Sequence, residues 1–232
     1  MIGVIGMSPE PGPLGRWLWR HPEWWVILVS LCAWLVMIPH MVKPAECSCC
    51  SSPGGEFVGW IAMAAAMMLP FLAETIQSIA ARSFPGRRAS GVAIFVLGYL
   101  AAWAAFAPIH ALWRSTPWGY HELGPTVAFA AAAAWCMTPT WRIAHQRSHA
   151  FRSFAATGPR WWSDLVGYGV RCGIWSMVAC LPLMIGCALT GHAAFAMLGG
   201  LGIGLIESRS RIIPQRTLAA CCVVLAVASL WL

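Results

Sequence analysis

Residues 90–113 read SGVAIFVLGYLAAWAAFAPIHALW, with Arg87 and Arg88 just before them and Arg114 just after. The run holds no Asp, Glu, Lys or Arg. Wound as a helix at about 1.5 Å per residue, it covers the ~30 Å hydrocarbon core of a bilayer. On either side, comparable apolar stretches occupy 23–42, 57–79, 123–140, 165–189, 192–207 and 216–232. The expected fold is an all-α membrane protein, a polytopic bundle of six or seven transmembrane helices. It forms one domain over 21–232, after a Gly/Pro-rich tail at 1–20. The sixth stretch falls short of the ~20 residues a span needs. Six spans plus a re-entrant or interfacial hairpin is therefore the alternative to seven.

The basic residues orient this bundle. Arg16 and Arg20 precede the first stretch, and Arg82, Arg87 and Arg88 separate the second from the third. Arg142, Arg147, Arg152 and Arg160 lie between the fourth and fifth, and Arg209, Arg211 and Arg216 between the sixth and seventh. The alternate loops carry only Lys43 and Arg114, while Arg171 falls inside an apolar stretch. Twelve against two is a positive-inside pattern. It predicts a cytoplasmic N-terminus and an outer C-terminus, and the expected location is the inner (cytoplasmic) membrane. The first apolar stretch has no small-x-small exit site and reads as a retained anchor, not a cleaved signal.

Composition agrees. A chain that is 59% hydrophobic and 10% charged has too little polar surface to cover a water-soluble globule. The net charge of +7 is spread over alternate loops and not gathered on one face, so it suits anionic lipid headgroups and not nucleic acid. Fifteen Trp are present, and Trp17, Trp19, Trp24, Trp25, Trp113, Trp118, Trp161 and Trp162 fall where span ends meet headgroups. The segment 141–164 mixes Arg, His and Trp as a short amphipathic surface helix does. Gly169-x-x-x-Gly173 and Gly200-x-x-x-Gly204 are read as faces for close helix approach.

Soft ligand types recur at helical spacing. Met63 and Met67 share one face of the second stretch, with Met68 beside them, and Pro70 then removes a backbone donor and opens a kink. In the fifth stretch Met177, Cys180, Met184 and Cys187 fall on one face. Thioether and thiolate sulfur favour Cu(I) over Mg, Ca or Mn. Met and Cys are equally adaptable apolar filler, so packing and metal binding both stand as readings of these stripes.

The loop at 43–56 carries Cys47-Ser-Cys49-Cys50. On an oxidising side such thiols pair or bind metal, and an odd number leaves one for a partner or an ion. His40 and Met41 stand nearby in sequence. His110, near the outer end of the third stretch, reads either as a ligand or as a hydrogen-bonded packing residue. Cys136 closes the fourth stretch. His145 and His149 are one helical turn apart and read as a chelating pair or as part of a solvated basic face. Glu74 and Glu207 are carboxylates at depth, which are costly unless paired, and Arg171 is the available partner for a structural ion pair. No G-x-S-x-G, H-E-x-x-H or P-loop element is present, so no enzymatic chemistry is expected.

With these residues in hand the chain resembles a family of bacterial integral membrane proteins described as predicted metal-binding membrane proteins. The likeness rests on Trp60-Ile-Ala-Met63 through Met67-Met68-Leu-Pro70, on Gly98-Tyr99 with Trp103, and on Cys136-Met137 with Pro139 and Arg142. It ends with Gly169-x-Arg171-Cys172-Gly173 running into Cys180 and Met184 and on to Glu207. Thr140, Trp141 and Ala179 stand where that family typically carries further cysteines. The likeness covers roughly 57–210 and implies metal handling without naming the metal.

The expected function is to bind or hand on a soft metal ion, copper first among them. The expected ligands are Met63, Met67, Met68, Cys180, Met184, His110 and Cys136, with Cys47, Cys49 and Cys50 as an outer acceptor. The alternative is a non-catalytic structural or assembly subunit of a larger membrane complex, such as a copper-dependent monooxygenase or a respiratory complex. Expected partners are the lipid bilayer and other membrane subunits.

Overall fold

The computed structural model describes residues 21–42, 53–114, 123–155, 158, 160–209 and 215–231. Among these the regular elements are all helices. The helices are α1 (Trp24–Val42), α2 (Pro53–Met68), α3 (Ala73–Arg82), α4 (Arg88–Arg114) and α5 (Gly124–Cys136). They continue with α6 (Pro139–Ser148), α7 (Arg160–Leu189), α8 (Ala194–Arg209) and α9 (Gln215–Ala228), with short 3-10 turns at Leu69–Leu72, Pro85–Arg87 and Ser229–Trp231. Three segments are long and apolar enough to cross a membrane: Gly54–Arg82, Pro85–Leu112 and Arg160–Leu189. Four shorter apolar helices, Trp24–Pro39, Gly124–Cys136, Ala194–Leu205 and Gln215–Trp231, pack around them.

Two prolines shape the bundle, and indoles repair what they break. Pro70 has no N–H, so the Ala66 carbonyl loses its donor one turn later and the chain tightens into the 3-10 turn between α2 and α3. From α1, Ser30 Oγ and Trp34 Nε1 both donate to that oxygen, at 2.9 and 3.1 Å. Pro182 likewise frees the Val178 carbonyl inside α7, and Trp135 Nε1 of α5 donates to it at 2.9 Å. A third indole, Trp60 Nε1 of α2, donates to the Trp103 carbonyl of α4 at 3.0 Å. Each bond joins two helices by giving an interior carbonyl a donor, which an apolar surrounding makes obligatory.

The closest helix pair is α4 with α7. A Cβ on Gly98 would stand 2.7 Å from the Val166 carbonyl oxygen, and one on Gly173 would stand 2.7 Å from that of Tyr99. A Cβ on Gly169 would fall on the Phe95 carbonyl oxygen. The glycine spacing read from the sequence therefore marks a true backbone contact here, and Tyr99 OH meets Ser176 Oγ at 2.8 Å across it. Tyr99, Trp103, Phe95, Trp60, Met63 and Met67 fill the core beside this seam.

Two boundaries and one tryptophan differ from the sequence expectation. The fourth apolar stretch, read as 123–140, closes at Cys136. Thr138 is extended (φ −81°, ψ 150°), as a residue before proline tends to be, and its hydroxyl accepts from the Trp141 N–H to cap α6. The fifth stretch begins at Arg160 and not at 165. Trp161 is buried at 2% exposure, so it packs in the interior, whereas Trp162 is exposed.

Aromatic and polar contacts gather several basic segments at one end of the bundle. The Arg82 guanidinium lies 3.9 Å from the Phe151 ring centre, and Arg87 lies 5.3 Å from that of Trp161. Arg142 donates to Gln215 Oε1 at 2.8 Å. The first two contacts tie the α3–α4 region to the α6–α7 region, and the third ties α6 to the start of α9.

Candidate metal centre

The thioether methyl of one helix and a thiol of another meet at a glycine of a third. Met67 of α2 is fully buried, as is Cys187 of α7. A Cβ built on Gly200 of α8 would stand 2.7 Å from Met67 Cε and 3.4 Å from Cys187 Sγ. The missing side chain at Gly200 thus leaves the room that the thioether methyl and the thiol share. The Cys187 thiol donates to the Ala196 carbonyl at 3.4 Å, which holds it on the α8 side. A soft, buried pair of this kind matches Cu(I), which accepts few ligands and prefers sulfur.

Further along α7, Cys180 lies between two small cavities. One, of about 40 Å³, is lined by Cys180 and Cys172 with His145, His149, Tyr99 and Ser176. The other, of about 20 Å³, is lined by Cys180 with Cys136 of α5 and Cys222 of α9. Each exceeds the roughly 10–15 Å³ needed for one water. Cys172 Sγ donates to the Ser148 carbonyl at 2.9 Å. Among the described residues no three His, Cys, Asp or Glu side chains stand close enough together to hold one ion. The thiols therefore form a spaced series along α7 and not a closed cage.

The other expected residues fall as follows. Met63, Met68 and Met184 are buried in the core. His110 is 7% exposed and stacks on Trp60 with ring centres 4.7 Å apart, within a cluster that includes Phe106. His145 lies parallel to Trp141, ring centres 5.3 Å apart, and His149 meets it edge-on at 4.8 Å. Cys47, Cys49 and Cys50 lie outside the described residues, as do the side chains of His40, Met41 and Glu207.

Of the expected ion pair, the structure describes the side chains of Glu74 and Arg171, while that of Glu207 lies outside the described residues. Glu74 and Arg171 are both exposed, and among the described residues they do not pair. The carboxylate that does link helices is Glu23, whose Oε1 accepts from Gln77 Nε2 at 2.9 Å and from His21 Nδ1 at 3.1 Å. Sequence reasoning passed over Cys222, met Cys172 only within the family likeness, and read Gly200 only as a packing face. Cys187 was visible in the Met/Cys stripe of α7, but nothing in the sequence shows that α8 brings a glycine to it.

Residues 57–232 match the model of a family described as PpoB2: Copper chaperone. The chain belongs to this copper chaperone family. Its membership agrees with the metal-related family expected from 57–210, extends the likeness to the last residue, and supports association with copper. The match begins after Cys47, Cys49 and Cys50 and includes Met67, Cys180, Cys187 and Gly200. No curated protein and no solved structure matches the chain.

Proposed function

We propose that this copper chaperone is a multi-pass protein of the bacterial inner membrane that holds Cu(I) between Met67 and Cys187 and passes it on without catalysis. The observation that carries this reading is the convergence of Met67 Cε and Cys187 Sγ on Gly200. Apolar helices with Leu31, Leu35, Leu97, Leu112 and Val224 turned outward support a lipid setting. The basic end of the bundle then faces the cytoplasm. Cys172, Cys180 and Cys187 stand about 10–12 Å apart along the axis of α7 at helical rise. They offer a sequence of sulfur stations, and Cys47, Cys49 and Cys50 supply an outer acceptor.

Copper binding displaces the Cys187 proton, so affinity falls as pH falls. The thioether of Met67 contributes no proton and holds the soft ion at any pH. Copper quantification after anaerobic Cu(I) loading in detergent tests the reading. Outer-shell partners alone are worth roughly 10–100-fold in metal affinity, so Cys187→Ser and Met67→Leu should each weaken binding by at least that much. Wild-type affinity in both variants would end the proposal.

A second reading, a non-catalytic subunit of a larger membrane complex, draws on the four shorter apolar helices. Each is under the ~20 residues of a comfortable span, and α9 turns Val223, Val224 and Val227 outward. Neighbouring membrane subunits would cover such faces and receive the copper. Migration on native gels as a single protomer counts against it.

A further inference from the structure

The arginine-bearing end holds a third cavity, of about 280 Å³, lined by Arg147, Arg152 and Arg171 with Phe151, Tyr168 and Cys172. Its size is near the lower bound of the roughly 300–1,000 Å³ typical of small-molecule sites. Among the described residues no carboxylate lies within ion-pair distance of these three guanidinium groups. Asp164, the nearest acidic residue in sequence to these arginines, accepts instead from the Ala155 N–H at 3.0 Å. Arg147 is braced by Trp175, 4.7 Å from the ring centre, which positions its charge without neutralising it. Three like charges around one cavity repel, and an anion seated among them relieves that cost.

One wall decides which anion. Cys172 lines this cavity and also the one holding Cys180, His145 and His149. A lipid headgroup would use the arginines and leave the shared thiol idle. A small anionic thiol carrying Cu(I) uses both. We infer that Arg147, Arg152 and Arg171 form a docking site for a small anionic thiol, which exchanges Cu(I) with Cys172. This rests on the copper-handling function proposed above and names the partner at one end of the sulfur series.

The exchange balances without redox chemistry. The Cu(I)–S bond to the carrier breaks as a Cu(I)–Sγ bond to Cys172 forms. The Cys172 proton, held on the Ser148 carbonyl, passes to the departing thiolate. The carrier's carboxylates stay on the guanidinium forks throughout, where bidentate pairing suits Arg better than Lys.

Two measurements on the full chain in neutral-lipid nanodiscs test this. The first is calorimetric binding of S-methylglutathione, which carries the anionic groups but cannot hold copper as a thiolate. Binding to the wild type that weakens about tenfold or more in Arg152→Gln and again in Arg171→Gln supports the site; no binding to the wild type overturns it. The second compares Cu(I) loading from its glutathione complex with loading from an acetonitrile complex. Loss in the Arg variants with glutathione alone, with acetonitrile loading intact, supports the inference. Equal loss from both sources, or from neither, overturns it. Nanodiscs containing phosphatidylglycerol add the competing occupant: abolition of S-methylglutathione binding there assigns the cavity to a lipid headgroup and overturns the proposal. Failure of the wild type to load from either source sinks the copper-holding function, while the S-methylglutathione arm still decides the site.

Discussion

Replacing Trp135 by Phe should cost far more when residue 182 is proline than when it is alanine. Pro182 cannot donate to the Val178 carbonyl, and Trp135 Nε1, at 2.9 Å, takes that role from another helix. Trp135→Phe leaves a half-buried carbonyl without that donor, a cost of about 1–3 kcal/mol. Interhelical bonds measured in bilayers average nearer ~0.6 kcal/mol, because the freed group finds other partners. Pro182→Ala restores an N–H at position 182, which can close the helical bond to Val178. In that background Trp135→Phe loses only ring volume and packing. Those losses occur in both backgrounds and cancel in the double-mutant cycle. The coupling should therefore be about 1 kcal/mol, read from reversible unfolding in mixed micelles titrated with SDS. Additivity within ~0.3 kcal/mol would refute the claim that the indole serves the proline-freed carbonyl.

Other outcomes follow from the same geometry. Gly169→Ala drives a Cβ into the Phe95 backbone and should abolish the folded bundle or lower its melting temperature sharply, whereas Gly167→Ala, with nothing within 4 Å, should be neutral or stabilise by about 0.5–1 kcal/mol. Thermal melts of the two variants in detergent separate these cases. Gly200→Ala crowds the flexible end of Met67 and makes looser contact with the Cys187 thiol and Leu183, so stability should change by less than about 1 kcal/mol while Cu(I) affinity, measured by chelator competition, drops at least tenfold. For copper bound through one thiol, apparent affinity should fall about tenfold per pH unit below the thiol's own pKa, because each ion displaces one proton; a pH-independent affinity would exclude a cysteine ligand.

The helical class was legible because apolar runs of this length leave the chain few other choices, and both working prolines were visible as prolines. Their partners were not. Trp34 and Trp135 read from the sequence as further members of an aromatic-rich chain, since an indole at a span end and one pinning a carbonyl have the same local signature. Thr138-Pro139 did carry the signal that ends α5 early, a residue biased towards extended backbone with a capping hydroxyl, but the apolar run through Met137 masked it. At the site, Met67 was legible from its spacing with Met63. Its meeting with Cys187 at Gly200 depends on three helices far apart in sequence, which spacing within one helix cannot encode. Glu74 and Arg171 do not meet for a related reason: both side chains sit on outward faces, a direction the apolar runs around them do not reveal.

X-ray absorption at the copper edge, on anaerobically loaded protein, tests the central claim most directly. The account predicts Cu(I) with sulfur neighbours, and a loss of that sulfur signal in the Met67→Leu/Cys187→Ser double variant. A spectrum dominated by nitrogen or oxygen, or one unchanged in the double variant, would contradict it.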